Sequence, residues 1–135
     1  MSSTETSGEE PVRSERDIVL ARQTVRKMAQ LQGFSLVDQT KIVTAASELA
    51  RNALIYGGGG SMQWQLLSDG VRKGLKLVFA DQGPGIPNLE LAMSDGWTSG
   101  GGLGMGLSGA KRLVSEFEID TQVGKGTRVS IARWK

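Results

Sequence analysis

Fourteen of the nineteen glycines in this 135-residue chain stand in four clusters. They are Gly57 to Gly60; Gly83 and Gly85; Gly100, Gly101, Gly102, Gly104, Gly106 and Gly109; and Gly124 with Gly126. Glycine is used at about twice its ~7% average. A flexible linker would scatter it among Ser and Gln, whereas each cluster here adjoins a segment with apolar periodicity. Glycine reaches positive φ and lets a ligand or a second backbone come close. Each cluster alone is equally an ordinary turn or helix cap; four of them beside ordered segments constrain the fold far more.

The ordered segments read coarsely from their periodicity. Residues 1–9 (MSSTETSGE) are polar and are expected to form a disordered tail, with one folded domain over 10–135. Glu10–Arg13 suits a short edge strand, because Pro11 is tolerated only at an edge. A helix is expected from Asp17, with Ile18, Val25, Met28, Ala29 and Leu31 as an approximate stripe and Gly33 ending it. A second runs from about Val37 to Tyr56 and buries Ile42, Ala45, Ala46, Leu49 and Ala53. Met62–Leu67 and Leu75–Ala80 read as a hairpin around Asp69–Gly70. Leu103–Glu116 reads as a helix. Strands near Phe117–Gln122 and Thr127–Arg133 follow, joined by a tight turn at Gly124–Gly126. The order β-α-α-β-β-α-β-β predicts an α+β fold, with helices layered on one face of a mostly antiparallel sheet.

What is missing excludes chemistry directly. Without Cys there is no disulfide, thiol nucleophile or iron–sulfur site. Without His there is no Ser-His-Asp triad, imidazole metal ligand or phosphohistidine. Catalysis must rest on carboxylates, amides, Lys/Arg and a hard cation. Sixteen Lys+Arg against fourteen Asp+Glu leave +2, far from a nucleic-acid-binding stripe. No apolar run has the ~18–20 residues of a membrane span, and no leader pattern opens the chain, so a cytoplasmic location without membrane or nucleic-acid partners is expected.

Four short elements could carry chemistry. Glu48-Leu49-Ala50-Arg51-Asn52 sets a carboxylate and a carboxamide four apart on one helix face, opposite the apolar stripe. That face is either plain solvated surface or a base beside a Mg²⁺ ligand, since Mg²⁺ takes hard oxygen donors. Asp81-Gln82-Gly83-Pro84-Gly85 follows a strand; it is either a β-turn or an acceptor for a ligand amino group with room for a flat ring. Ser99 to Leu107 (SGGGLGMGL) enters a helix whose first N–H groups could meet phosphate oxygens. It lacks the GK[ST] ending of a Walker loop and precedes no second parallel strand, which disfavours both P-loop and Rossmann folds. Gly124-Lys125-Gly126-Thr127 reads by itself as a hairpin turn.

Taken in order, ELARN, DQGPG, GGGLGMG and GKGT resemble the asparagine box and three glycine boxes of the GHKL (Bergerat) ATP-binding fold. Gyrase, Hsp90, histidine kinases and MutL share that fold. DQGPGIP, DGWTSGGGLGMGLSGAKRLVSEF and GKGT further resemble the small anti-sigma-type serine/threonine kinases, and among them the stressosome switch kinases (RsbT-like). The resemblance covers roughly residues 11–135 and implies a two-layer α/β sandwich on a mixed, mostly antiparallel sheet.

It also implies roles. Glu48 would be the general base, and Asn52 the Mg²⁺ ligand and part of the ATP site. Asp81 would read the adenine amino group, with Thr127 sharing a water with it, and Gly83 and Gly85 would let adenine approach. Gly102 stands where sporulation relatives carry an Arg, a charge that Lys111, Arg112 or a partner would have to replace. Residues 95–106 would form a lid, with Gly104, Met105 and Gly106 giving N–H groups to phosphate. Trp97 in that lid would be a hydrophobic plug or a partner contact. Phosphoryl transfer is mainly positioning and charge neutralisation, which such a set could supply.

The implied partners are STAS-domain antagonist and scaffold proteins, as substrates, and a PP2C-type phosphatase activated by binding. The expected activity is ATP- and Mg²⁺-dependent phosphorylation of a partner Ser or Thr in a partner-switching stress response that controls a sigma factor. The alternative is a nucleotide-dependent binding module, an anti-sigma factor or phosphatase activator with little catalysis. The retained Glu48 favours the kinase, because a pure binder needs no base. With neither an acceptor His nor a transducer domain, a sensor histidine kinase and a mechanical ATPase are both disfavoured.

Overall fold

The computed structural model describes residues 6–86, Met93 and 103–135, and the sequence explains most element boundaries locally. Helix α1 (Glu15–Leu31) starts where the Ser14 hydroxyl accepts from the Asp17 amide at 3.1 Å. The Asp17 carboxylate accepts from the Arg13 amide in return, at 2.9 Å, so one orphan donor of the first turn is satisfied and the residue before the cap is tied to it. Helix α2 (Leu36–Ile55) is capped the same way by Ser35. Gly33, at φ 78°, turns the chain between them. The helices pack through small residues: α1 buries Ala21 and Ala29 beside Ile18, Val25 and Met28, while α2 buries Ala45, Ala46, Ala50 and Ala53 beside Ile42, Val43 and Leu49.

The strands are β1 (Ser7–Val12), β2 (Gly60–Ser68), β3 (Lys73–Asp81), β4 (Glu116–Gln122) and β5 (Gly126–Trp134), in the spatial order β1-β2-β3-β5-β4. Every pairing among the described residues is antiparallel, so the expectation of a mixed sheet is corrected to a uniform one there. β1 lies at an edge, as Pro11 requires. It begins at Ser7, three residues before the expected start, so the boundary placed after residue 9 falls inside the strand. Gly8 pairs with Trp64 and lies against its indole, where any side chain would collide. Leu75, Leu77, Phe79, Val129 and Ile131 point from β3 and β5 into the helix layer and are all buried. Burial of each such side chain contributes about 1.5–3 kcal/mol.

Helix α3 (Leu103–Arg112) is four residues shorter than the apolar pattern predicts. The Leu113 amide closes a tighter bond to the Ala110 carbonyl, and Arg133 donates to the Leu113 carbonyl at 2.8 Å. Ser115 then donates to Ala132, drawing the chain into β4 pairing. This layout brings the C-terminal end of α2, the start of α3, the end of β3 and the start of β5 to one pole of the molecule.

Candidate functional site

At that pole lies a cleft of about 150 Å³, with mainly apolar walls. Leu49 and Ala53 come from α2, Phe79 from β3, Ile86 from the following loop, Leu107 from α3 and Val129 from β5. Asn52, Tyr56, Asp81 and Thr127 are its side-chain polar groups. An apolar slot with a few convergent polar groups is the usual form of a small-molecule site.

Asp81 is the last residue of β3 and faces the slot. One carboxylate oxygen accepts from the Gly83 amide at 2.9 Å. Burial pushes its carboxyl above the ordinary carboxylate range, opposed by hydrogen bonds from the Gly83 and Thr127 backbones. A carboxylate closing an apolar slot, with acceptor capacity left over, suits a flat heteroaromatic ring carrying an exocyclic amino group. Thr127 pairs with Asp81 across the β3–β5 ladder, and its hydroxyl lies 2.9 Å from that of Thr121. The Thr121 hydroxyl also accepts from the Ile86 amide at 2.9 Å, pinning the loop after β3 onto β4. Gly85, at φ 78°, lies so close to the Gln122 carbonyl that a side chain would not fit.

Asn52 sits beside Leu49 and Ala53 on the cleft face of α2, not on a solvated face opposite the apolar stripe. Its amide nitrogen is buried and has no partner among the described residues. Gly106 of α3 lies against it, so close that an added Cβ would stand 2.9 Å from that nitrogen. An amide packed on a helix start and left unsatisfied fits a site completed by a bound polar group. Glu48, one turn earlier, is half-buried and does not line the cleft. Gly83 packs beside the slot against Gly57. Gly104 and Met105 belong to the first turn of α3. Gly102, Trp97 and most of the expected lid lie outside the described residues. Lys111 and Arg112 are in the last turn of α3, away from its start.

Sequence reasoning missed three residues of this site. Tyr56 lines the cleft one turn beyond Asn52, with a buried hydroxyl that has no partner among the described residues. Its i+4 spacing from Asn52 is the signal that could have found it. Gly57 lies under Asp81, and Thr121 acts through Thr127; only the sheet register reveals either.

Two layers, an asparagine-bearing helix lining an apolar slot, and a strand-end aspartate between glycine turns define an ATP-binding domain of the GHKL class. Residues 37–135 match the family model described as histidine kinase-, DNA gyrase B- and HSP90-like ATPase, and the chain belongs to that family. It is 46% identical to the serine/threonine-protein kinase RsbT of Bacillus subtilis over 91% of this chain and 92% of the relative. It is 30% identical to an anti-sigma F factor of Clostridium acetobutylicum over 81% of this chain and 79% of that one. Among solved structures it resembles the RsbU and RsbW domains of a Mycobacterium tuberculosis protein, with TM-score 0.68 and 20% identity. That match covers 98% of this chain and about a third (34%) of the other, and it speaks for the fold alone. The chain is therefore a serine/threonine-kinase homologue of the GHKL family, with ATP as its nucleotide and anti-sigma factors among its relatives. Among the described residues, no helix is long and apolar enough to cross a membrane.

Proposed function

We propose that this chain is an ATP- and Mg²⁺-dependent serine/threonine kinase of the cytoplasm, acting on STAS-domain antagonist and scaffold proteins within a partner-switching pathway that controls a sigma factor. Release from the phosphorylated scaffold frees it to activate a PP2C-type phosphatase by direct binding. The observation that carries the reading is the pairing, in one apolar slot, of a half-buried carboxylate, Asp81, with an amide nitrogen of Asn52 that is buried and has no partner among the described residues.

In this reading Asp81 accepts from the adenine amino group, while Leu49, Phe79 and Val129 exclude water from the ring faces. Thr127 orders a water beside Asp81, and Gly83 and Gly85 leave the ring room. Asn52 turns its amide oxygen toward Mg²⁺, a hard-oxygen preference that its side chain meets. Bound Mg²⁺ supplies neutralisation of phosphate charge. Gly104, Met105 and Gly106, at the start of α3, turn backbone N–H groups toward phosphate oxygens, with Gly102 just before them. Glu48 takes the proton of the partner's hydroxyl, which must then approach along the flank of α2 outside the slot.

The test uses radiolabelled ATP, Mg²⁺ and soluble extract of the source organism, comparing wild type with Glu48→Ala and Asn52→Ala. The reading expects acid-stable label on a partner band with wild type and none with either variant. No transfer despite tight ATP binding would leave the nucleotide-dependent binding module in its place.

A further inference from the structure

The Gly57–Gly60 cluster has no part in the roles above, yet Gly57 leaves no room for a side chain against the carboxylate that faces the slot. A Cβ built on Gly57 would lie 2.3 Å from Cγ of Asp81 and 2.5 Å from both its Cβ and its Oδ2. No real contact is that short, so one of the two residues would have to yield.

Neither backbone is free to do so. The Gly57 amide bonds the Asn52 carbonyl at 3.3 Å, and the Gly59 amide bonds the Ala53 carbonyl at 2.8 Å, tying the segment to the end of α2. A Cβ on Gly83 would stand 2.6 Å from the Gly57 Cα, so Gly57 is also backed by Gly83. Asp81 is held by strands on both flanks, opposite Gly60 of β2 and Thr127 of β5. A side chain at 57 would therefore press on the Asp81 side chain: turning the carboxylate away breaks its 2.9 Å bond from the Gly83 amide, and the clash with its Cβ, which no rotation relieves, tilts the whole side chain off the slot.

We propose that Gly57 is a positioning residue for nucleotide recognition, its bare Cα fixing the rotamer of Asp81 that the adenine amino group meets. This rests on the reading of Asp81 given above. Glycine at 57 is required by space and not by φ, since the positive-φ glycines of this segment are Gly58 and Gly59.

A double-mutant cycle tests it, with ATP affinity read by calorimetry and the melting temperature read on ligand-free protein. Gly57→Ala should weaken ATP binding roughly 10- to 100-fold, the range for losing a hydrogen bond to a charged group. In an Asp81→Gly background, which removes Cβ together with the carboxylate, the same methyl has no side chain to displace, so it should change affinity less than about twofold and cost less in melting temperature than in wild type. The melting arm keeps the contact measurable even where Gly57→Ala folds poorly. Additive losses in both readouts, or an unchanged affinity in Gly57→Ala beside a weakened Asp81→Gly, would overturn the inference alone. Unchanged affinity in Asp81→Gly would overturn the reading of Asp81 and the inference with it.

Discussion

Asp81→Asn should move ATP affinity down and leave the stability of the ligand-free domain unharmed or raised. The affinity argument starts from geometry. One carboxylate oxygen accepts from the Gly83 amide at 2.9 Å and the Thr127 backbone also donates to the group, yet with two oxygens it keeps acceptor capacity for the ligand. An asparagine has a single oxygen. Turned toward Gly83, it presents its own NH₂ to the adenine NH₂; turned toward adenine, it sets the NH₂ against the Gly83 amide. Losing one charge-assisted bond and gaining a donor–donor contact costs about 2–3 kcal/mol, a ~30- to 150-fold weaker Kd.

The stability argument has the opposite sign. Burial raises the Asp81 carboxyl above its usual range, so the folded state binds this proton more readily than the unfolded chain does. Folding therefore bears the cost of the buried charge in full above the folded value. The cost fades as pH falls through that value and vanishes below the unfolded one. The asparagine variant carries no such charge. Its melting temperature should match or exceed wild type at pH 7, with the gap closing near pH 4. Calorimetric titration with ATP and thermal melts at the two pH values check both halves. Unchanged ATP affinity, or a variant destabilised at pH 7 by more than about 1 kcal/mol, the scale of an ordinary lost hydrogen bond, would refute the reasoning.

Three further outcomes follow from named contacts. Arg133→Ala removes donors to Asp38 at 2.6 Å and to the Leu113 carbonyl at 2.8 Å, from side chains 18% and 28% exposed, and should cost roughly 2 kcal/mol in chemical denaturation. The Arg133 hydrogen bond holds the Asp38 carboxyl below its ordinary range, so that contribution is present above the unfolded value and lost as pH falls through the folded one; the deficit should shrink in acid. Gly106→Ala should weaken Mg-ATP binding several-fold by displacing the Asn52 amide, while the melting temperature holds or rises because alanine favours a helix by about 0.5–1 kcal/mol. Tyr56→Phe deletes a buried hydroxyl that has no partner among the described residues, so apo stability should not fall, whereas ATP affinity should drop by about 3- to 10-fold.

Local chemistry was legible in the sequence wherever the cause was local. Gly33 marks a helix end through its positive φ, and Asp69–Gly70 marks the hairpin through its turn chemistry, with the Asp69 carboxylate accepting from the Val71 and Arg72 amides; the Ser14 and Ser35 caps, equally local, set helix starts two and one residues before those read from the apolar pattern. Long-range causes were not legible. The polar start of β1 offers no alternation to read; Ser7–Glu9 are ordered by pairing with Gln63–Gln65, fifty-odd residues away. α3 stops short because a β5 arginine captures its end. Asn52 lines the cleft and not the solvated face that the helical pattern gave it, since the apolar stripe of α2 widens to include it only once β3, β5 and α3 close over that face.

The distribution of unsatisfied chemistry argues for the site independently of any likeness. Folded chains seldom leave buried polar atoms without partners, and each exception calls for a reason. Among the described residues three such side-chain atoms stand out, and two of them, the Asn52 amide nitrogen and the Tyr56 hydroxyl, line the same cleft. The acid whose carboxyl is pushed upward, Asp81, lines it as well. The third atom, Arg133 Nε, belongs to a guanidinium whose other nitrogens are bonded at 2.6 and 2.8 Å, so its group as a whole is anchored. Packing alone would have favoured apolar side chains at 52, 56 and 81, where the neighbours are Leu49, Phe79, Leu107 and Val129. A sequence that retains three polar groups in such surroundings gives up stability in the empty domain and recovers it when a polar ligand enters. The ligand-free protein should therefore gain more in melting temperature from Mg-ATP than the Asp81→Asn and Tyr56→Phe variants do, and equal gains in all three would place the source of that stabilisation elsewhere.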